Sequence, residues 1–348
     1  MAKFDLAILG GGPGGYVAAI RSAQLGLKTC IIDKDKLGGI CLNWGCIPTK
    51  ALLKNAEVYH TIKHADMYGI KVENVSVDFK KNIQRSRDIS NRLSKGIEFL
   101  MKKNKITHIT GIGKLTSKTS LEVKNKQKTD TIEADKIILA TGARPRSFPG
   151  MEFDGNRVIS FKEAMILDSL PKKMIIIGSG AIGSEFAYYY NEFGTEVHMI
   201  EMLDRILPIE DADVSKEVEK SFKKSNIKIS TGTKVSKIES LKTKVKVHTE
   251  RNGKEEILEG DLALLAVGVT GNIEYLGLEE LGIETNGGNI TINEFNQTNI
   301  PNIYSIGDVS GPPWLAHVAS AQGHVAVDHA AGQTSAPVEL KNIPGCTK

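Results

Sequence analysis

The sequence predicts an α/β fold built on a duplicated strand–helix–strand unit, and three observations predict it. A glycine-rich turn, Gly10-Gly11-Gly12-Pro13-Gly14-Gly15, follows an apolar strand and opens a small-residue helix. A second turn of the same form, Gly178-Ser179-Gly180-Ala181-Ile182-Gly183, follows the apolar run Met174-Ile175-Ile176-Ile177. In each copy an acid, Asp33 or Glu201, ends the next strand, and the glycines and acids of the second copy share one offset from those of the first. Two chance matches would not share an offset. Glycines permit a tight turn and let backbone approach a pyrophosphate, which then sits on a helix N-terminus, while the acid can accept from a ribose hydroxyl. Each copy should therefore hold one dinucleotide.

Taken in order, the strand Phe4–Leu9 leads through the first turn to a helix from Tyr16 to Gly26 and a strand from Lys28 to Ile32. Residues 50–65 read as a helix, and 78–104 as a long amphipathic one with Ile83, Ile89, Leu93, Ile97 and Leu100 near helical spacing. The stretch 106–138 alternates and carries turn signals, as an antiparallel meander does. It feeds the apolar strand 136–139 and the turn Ala140-Thr141-Gly142-Ala143-Arg144-Pro145, and the Gly/Pro-rich residues 142–150 mark a boundary. The second unit has a helix to Gly194, a strand 196–200, a meander over 227–259 and a strand 261–267 before Gly268. Residues 271–299 form an Asn- and Gly-rich return segment. A strand ending Gly307-Asp308 then places an acid where it can reach a cofactor hydroxyl, and a small-residue helix over 314–332 carries Leu315-Ala316-His317.

Composition excludes several classes. The chain has 348 residues, enough for two or three domains, with 41% hydrophobic and 25% charged residues and a net charge of +4. That charge is too small and too scattered to argue for nucleic acid. The lysines of 102–105 and 124–128 read as solvated helix-end and turn residues. No apolar run approaches the roughly 18 residues of a membrane span. The first strand begins almost at the N-terminus, leaving no room for a targeting peptide, so a cytoplasmic protein is expected. Four cysteines, at 30, 41, 46 and 346, are too few for a disulfide scaffold, and Cys30 lies in the apolar strand Thr29–Ile32 as a core residue. No metal-ligand set is assigned.

Cys41 and Cys46 stand five positions apart within Gly38-Gly39-Ile40-Cys41-Leu42-Asn43-Trp44-Gly45-Cys46-Ile47-Pro48-Thr49-Lys50-Ala51-Leu52-Leu53. One helical turn brings such positions within disulfide range, and the positive end of a helix favours a thiolate. On spacing alone, a redox disulfide at a helix start and two buried thiols are equally good readings.

The segment Cys41 to Leu53 resembles the redox signature of the dihydrolipoyl dehydrogenase (lipoamide dehydrogenase) family, among the FAD-dependent pyridine nucleotide–disulfide oxidoreductases. Both glycine turns, Ala140-Thr141-Gly142, Gly307-Asp308 and Leu315-Ala316-His317 fall in that family's order. The resemblance implies two Rossmann-like FAD/NAD(P)-binding domains with βββ meanders, a three-layer ββα arrangement of the glutathione-reductase-like kind. It implies an FAD-binding domain over 1–149 that resumes at 271–335, an NAD-binding domain over 150–270, and the start of an interface domain at 336–348. It matches Gly10, Gly12, Pro13, Gly14, Gly15, Asp33, Gly113, Thr141, Gly142, Asp308 and Ala316 to the FAD site. It matches Gly178, Gly180, Ala181, Ile182, Gly183, Glu201, Val235 and Gly268 to the NAD site. Cys46 corresponds to the thiol beside the flavin, giving a charge-transfer thiolate, and Cys41 to the outer thiol that exchanges with substrate. Lys50 corresponds to the lysine near the flavin N5, with Glu185 as its partner.

The implied activity is electron transfer between NAD and dihydrolipoamide carried on a lipoyl domain of a 2-oxo acid dehydrogenase complex, by a homodimer. A non-catalytic flavin-binding remnant and a related NAD(P)H-dependent disulfide reductase are the competing readings. A thioredoxin-reductase-like enzyme is disfavoured, because residues 150–270 contain no cysteine. Two departures stand out. The family often has arginine after the glycine equivalent to Gly268, where this sequence has Val269. None of the eight histidines precedes a proline, whereas the family's acid–base histidine does so in its interface domain. From this sequence, NADH–dye (diaphorase) activity is expected, with dihydrolipoamide turnover lower by about 10²–10⁴-fold, the usual worth of a general base, and weakened dimerisation.

Overall fold

The computed structural model describes residues 2–126 and 128–347. The chain divides into two compact units, one of residues 1–43, 90–144 and 270–345, the other of residues 44–89, 145–269 and 346–348. The elements, in chain order, begin with β1 (Ala2–Leu9), α1 (Pro13–Gln24), β2 (Thr29–Asp33), α2 (Gly39–Trp44), α3 (Cys46–Lys63) and α4 (Phe79–Lys103). Strands β3 (Thr107–Thr110), β4 (Ile112–Ser117), β5 (Ser120–Lys124), β6 (Thr129–Leu139), β7 (Ala143–Pro145) and β8 (Val158–Ile159) follow, then α5 (Phe161–Ala164). Next come β9 (Lys173–Ile177), α6 (Ala181–Glu192), β10 (Glu196–Ile200), α7 (Ala212–Lys224), β11 (Lys228–Ser230), β12 (Lys234–Ser240), β13 (Val245–Arg251), β14 (Lys254–Gly260) and β15 (Leu262–Leu265). The last are β16 (Val269–Gly271), β17 (Thr285–Asn286), β18 (Asn289–Ile290), β19 (Ile303–Ser305) and α8 (Ala316–Ala330).

In the first unit β3, β2, β1, β6 and β19 lie side by side, each pair parallel. The eleven-residue β6 also carries β5 along its first half, antiparallel, and β4 beyond it. Strands buried on both faces read as unbroken apolar runs, and β1 shows how one strand serves two cores. Leu6 and Ile8 join Ala18, Ala19, Ala326 and Val327 on the helical face, while Ala7 and Leu9 join Leu115, Leu121 and Leu276 on the other. Helices α1 and α8 approach closely because their contact is built of small residues: a Cβ at Gly323 would lie 2.9 Å from the Gly14 carbonyl. Arg21 and Asp328 close that contact with an ion pair of 2.7 Å.

The second unit has a parallel sheet in the order β11-β10-β9-β15-β8 and a separate antiparallel meander β12-β13-β14. One core lies between them, with Ile175, Ile177 and Ile200 against Val235, Val245 and Val247. Among the described residues no helix is long and apolar enough to cross a membrane.

Several expectations need correction. Both meanders begin later than read, since β3 and β11 pair parallel with β2 and β10; alternation in a short strand carries no information on its direction. Helix α1 begins at Pro13 rather than Tyr16, because proline suits the first helical position. In α4, Leu93 is exposed, and the buried stripe runs instead through Ile83, Ser86, Ser90, Ser94 and Met101. Those serines are buried on partners: Ser86 donates to the Pro48 carbonyl at 3.0 Å and Ser94 to the Leu37 carbonyl at 2.7 Å. Cys30 is fully buried, as expected, and burial pushes its thiol up to about 12. Of the second lysine cluster, position 127 lies outside the described residues.

Candidate functional site

The first glycine turn is shaped by backbone that no side chain could share. Gly10 has φ +114°, and a Cβ there would fall 2.0 Å from the Ala140 carbonyl oxygen. A Cβ at Gly15 would fall 1.9 Å from the Gly10 carbonyl oxygen. Gly11 is closed in by Leu37 and by Asp33. Asp33 fixes the turn from the adjacent strand end: its carboxylate accepts from the Gly11 N–H at 2.5 Å and from the Asp35 N–H at 2.8 Å. Burial raises this carboxyl above its usual range, against the lowering effect of those two donors. Gly12 caps α1 with no side-chain hydrogen bond, and Pro13 opens the helix. The positive end of a twelve-residue helix thus meets a turn with no side chains to block an anion.

Of the other residues matched to this site, Thr141, Gly142 and Asp308 follow strands of the same sheet. Thr141 and Gly142 follow β6; Thr141 donates to the Asn272 carbonyl at 2.9 Å, and Asn272 returns a bond to the Thr141 carbonyl at 2.8 Å. Asp308 follows β19 in a short 3-10 turn. Burial raises its carboxyl, and among the described residues no donor meets that carboxylate. A half-buried carboxylate left without a donor suits a ligand hydroxyl. Gln322 supports the turn by accepting from the Gly307 N–H at 2.7 Å. Ala316 is the first residue of α8, in the helix whose Ser320 reaches the Pro13 carbonyl at 3.4 Å. Gly113 lies on β4, where a Cβ would fall 2.5 Å from a Leu9 methyl group.

The second turn repeats the plan inside the other unit. Gly178 has φ +96°, with a would-be Cβ 2.4 Å from the Ala266 carbonyl oxygen, and a Cβ at Gly183 would lie 2.0 Å from the Gly178 carbonyl oxygen. Glu201, buried, accepts from the Ser179 N–H at 2.9 Å, the Ser179 hydroxyl at 2.7 Å and the Leu203 N–H at 2.9 Å. Gly180 caps α6, again with no side-chain bond, and Ala181 and Ile182 form its first turn ahead of Gly183. Gly268 has φ +100° beside open space, whereas Val235 belongs to the core between sheet and meander. Arg205 is tied away, donating to the Pro208 carbonyl at 3.2 Å.

The dithiol segment runs through two helices broken at Gly45. Cys41 is half-buried in α2, in the first unit; Cys46 is exposed as the first residue of the eighteen-residue α3, in the second. Cys46 thus stands at the positive, N-terminal end of that helix, where an anion is favoured. One turn on, the Lys50 ammonium meets the Glu185 carboxylate of α6 at 2.5 Å. Buried Asn43 ties the α2 segment back, donating to the carbonyls of Leu37 at 3.2 Å and Gly39 at 3.0 Å. Ser94, Asn272 and Gln322 support the site from partners that no periodicity in the sequence marks.

Comparison with known proteins agrees with this plan. Residues 4–323 match the model of the pyridine nucleotide-disulphide oxidoreductases. The dihydrolipoyl dehydrogenases of Rhizobium etli and Bacillus subtilis are 45% and 44% identical over 99% of this chain, which spans 76% and 75% of their lengths. The crystal structure of LpdA from Mycobacterium tuberculosis superposes with a TM-score of 0.92 at 29% identity, over all of this chain and 76% of that one. The flavoprotein disulfide reductase RclA of Escherichia coli gives 0.83 at 27% identity, over 94% of this chain and 71% of its own. With two acid-clamped glycine turns, a dithiol at a helix start and these relatives, the chain belongs to the pyridine nucleotide-disulphide oxidoreductases, enzymes that use FAD and NAD(H).

Proposed function

We propose that this enzyme exchanges electrons between NAD and a dihydrolipoyl dithiol, presented on a lipoyl domain of a 2-oxo acid dehydrogenase complex. The observation that carries the reading is Cys46 at the start of α3, one turn ahead of the Lys50–Glu185 pair, in a chain with two acid-clamped turns. Gly10, Gly12, Pro13, Gly14 and Gly15 with the α1 N-terminus would hold the FAD pyrophosphate, and Asp33 a ribose. Thr141, Gly142, Asp308, Ala316 and Gly113 would complete that site. Gly178, Gly180, Ala181, Ile182, Gly183, Glu201, Val235 and Gly268 would form the NAD site. FAD, when bound, carries the electron pair between the cysteine pair and NAD(H).

The cysteines do the sulfur chemistry. A substrate thiolate attacks the Cys41 sulfur of a Cys41–Cys46 disulfide, and Cys46 leaves as a thiolate held by the helix end. The second substrate thiolate then displaces Cys41, so the substrate closes to its disulfide and the cysteine pair gains two electrons. Lys50, fixed by Glu185, places a positive charge one turn into the same helix. NADH–dye activity needs the two dinucleotide turns and not the cysteine pair. In an anaerobic titration, wild-type protein should take up twice as many NADH equivalents per flavin as Cys46→Ser, while both retain NADH–dye activity. Equal uptake by the two would sink the proposal.

A further inference from the structure

His60 lies in the last turn of α3 and His64 caps that helix four positions on, and both are exposed. Their rings lie close but tilted, with centroids 4.2 Å apart and planes at 33° to one another. Each Nδ1 faces an oxygen that can only accept. His64 Nδ1 lies 2.8 Å from the His60 carbonyl, and His60 Nδ1 lies 3.1 Å from the Glu192 carboxylate of α6. Both Nδ1 atoms therefore carry the proton in the neutral rings, and both Nε2 atoms present lone pairs. Glu192 is buried and is held in turn by Lys63 at 2.6 Å. A carboxylate holding the far nitrogen of a histidine is the usual outer partner of a metal-bound imidazole.

We propose that His60 and His64 chelate one divalent transition-metal ion through their Nε2 atoms, with Glu192 orienting His60 from behind. Two imidazoles about one turn apart suit copper(II), nickel(II) or zinc, copper(II) most strongly, with water completing the coordination. The site is separate from the dinucleotide turns and the dithiol, although it sits at the far end of the helix that Cys46 opens.

The test is a copper(II) titration of the flavin-loaded full chain with its accessible thiols alkylated, so that sulfur cannot compete. Electron paramagnetic resonance should show one ion with hyperfine coupling to two nitrogens. His60→Ala and His64→Ala should each weaken binding at least about tenfold and leave single-nitrogen coupling. Glu192→Gln should keep both nitrogens while weakening binding by about 10–100-fold, the usual worth of an outer partner. Circular dichroism should show all three variants folded; if a histidine variant is not, His60→Gln or His64→Gln replaces it, and if Glu192→Gln is not, Glu192→Asp does. Absence of saturable binding to the wild-type chain, or unchanged affinity and spectrum in both histidine variants, overturns the site.

Discussion

At the scale of single residues, the most constrained positions are glycines whose missing side chain is occupied by backbone. Gly183→Val should abolish reduction by NADH, because a Cβ would fall 2.0 Å from the Gly178 carbonyl oxygen; flavin content and the NADH-driven absorbance change measure it. Under the proposed function, Glu201 of the same turn would set coenzyme choice. A carboxylate accepts from the 2′-hydroxyl of NAD and repels a 2′-phosphate, and here Ser179 and Leu203 hold it in place. Glu201→Ala should therefore lower the NADH to NADPH preference in flavin-reduction rates at least about tenfold, the scale of one hydrogen bond to a charged group. Asp308 makes a prediction of opposite signs for stability and binding. Burial raises its carboxyl, so the folded protein favours the protonated form. The folded state then holds more protons than the unfolded one as pH rises through the carboxyl range, and this group's contribution to stability falls over that window. Asp308→Asn should raise the melting temperature of the flavin-free chain at neutral pH, flatten its fall with pH, and weaken flavin retention.

At the scale of elements, the first turn depends on how α1 meets α8. The two helices can approach because Gly14, Ala18, Ala319 and Gly323 present almost no side chain at their contact. Gly323→Val should force them apart, costing about 1–3 kcal/mol as overpacked cores do, read as a lower melting temperature and lower flavin occupancy. The α3–α6 pair is joined by charge at two levels, Lys50–Glu185 and Lys63–Glu192. Helix α4 shows an element whose pattern misleads: Leu93 suits the apolar stripe yet faces water, while Ser86 and Ser94 are buried because each has a carbonyl to meet. A hydroxyl with a partner is as acceptable inside as a methyl group, and hydrophobic periodicity cannot see the partner.

At the scale of the whole molecule, each compact unit contains its own glycine turn and its own acid clamp. Damage to one turn should therefore leave the other able to bind. Gly183→Val should keep its flavin, and Gly15→Val should lose flavin while still quenching NADH fluorescence on binding; a parallel loss of both ligands in either variant would contradict this independence. The sequence by itself determined the two turns, their acids, the duplication and the start of the dithiol helix. These are set within a few residues by backbone angles that only glycine adopts readily and by strand and helix periods. Direct reading of residues could not supply the Lys50–Glu185 contact, across 135 positions, which came only through family resemblance. The parallel direction of β3 and β11, the clustering of residues 44–89 with 145–269, and the lock of Thr141 with Asn272 were decided by tertiary structure alone. Such contacts join segments far apart along the chain, and the residue types that make them, lysine, glutamate, asparagine and serine, are the same ones that elsewhere face water.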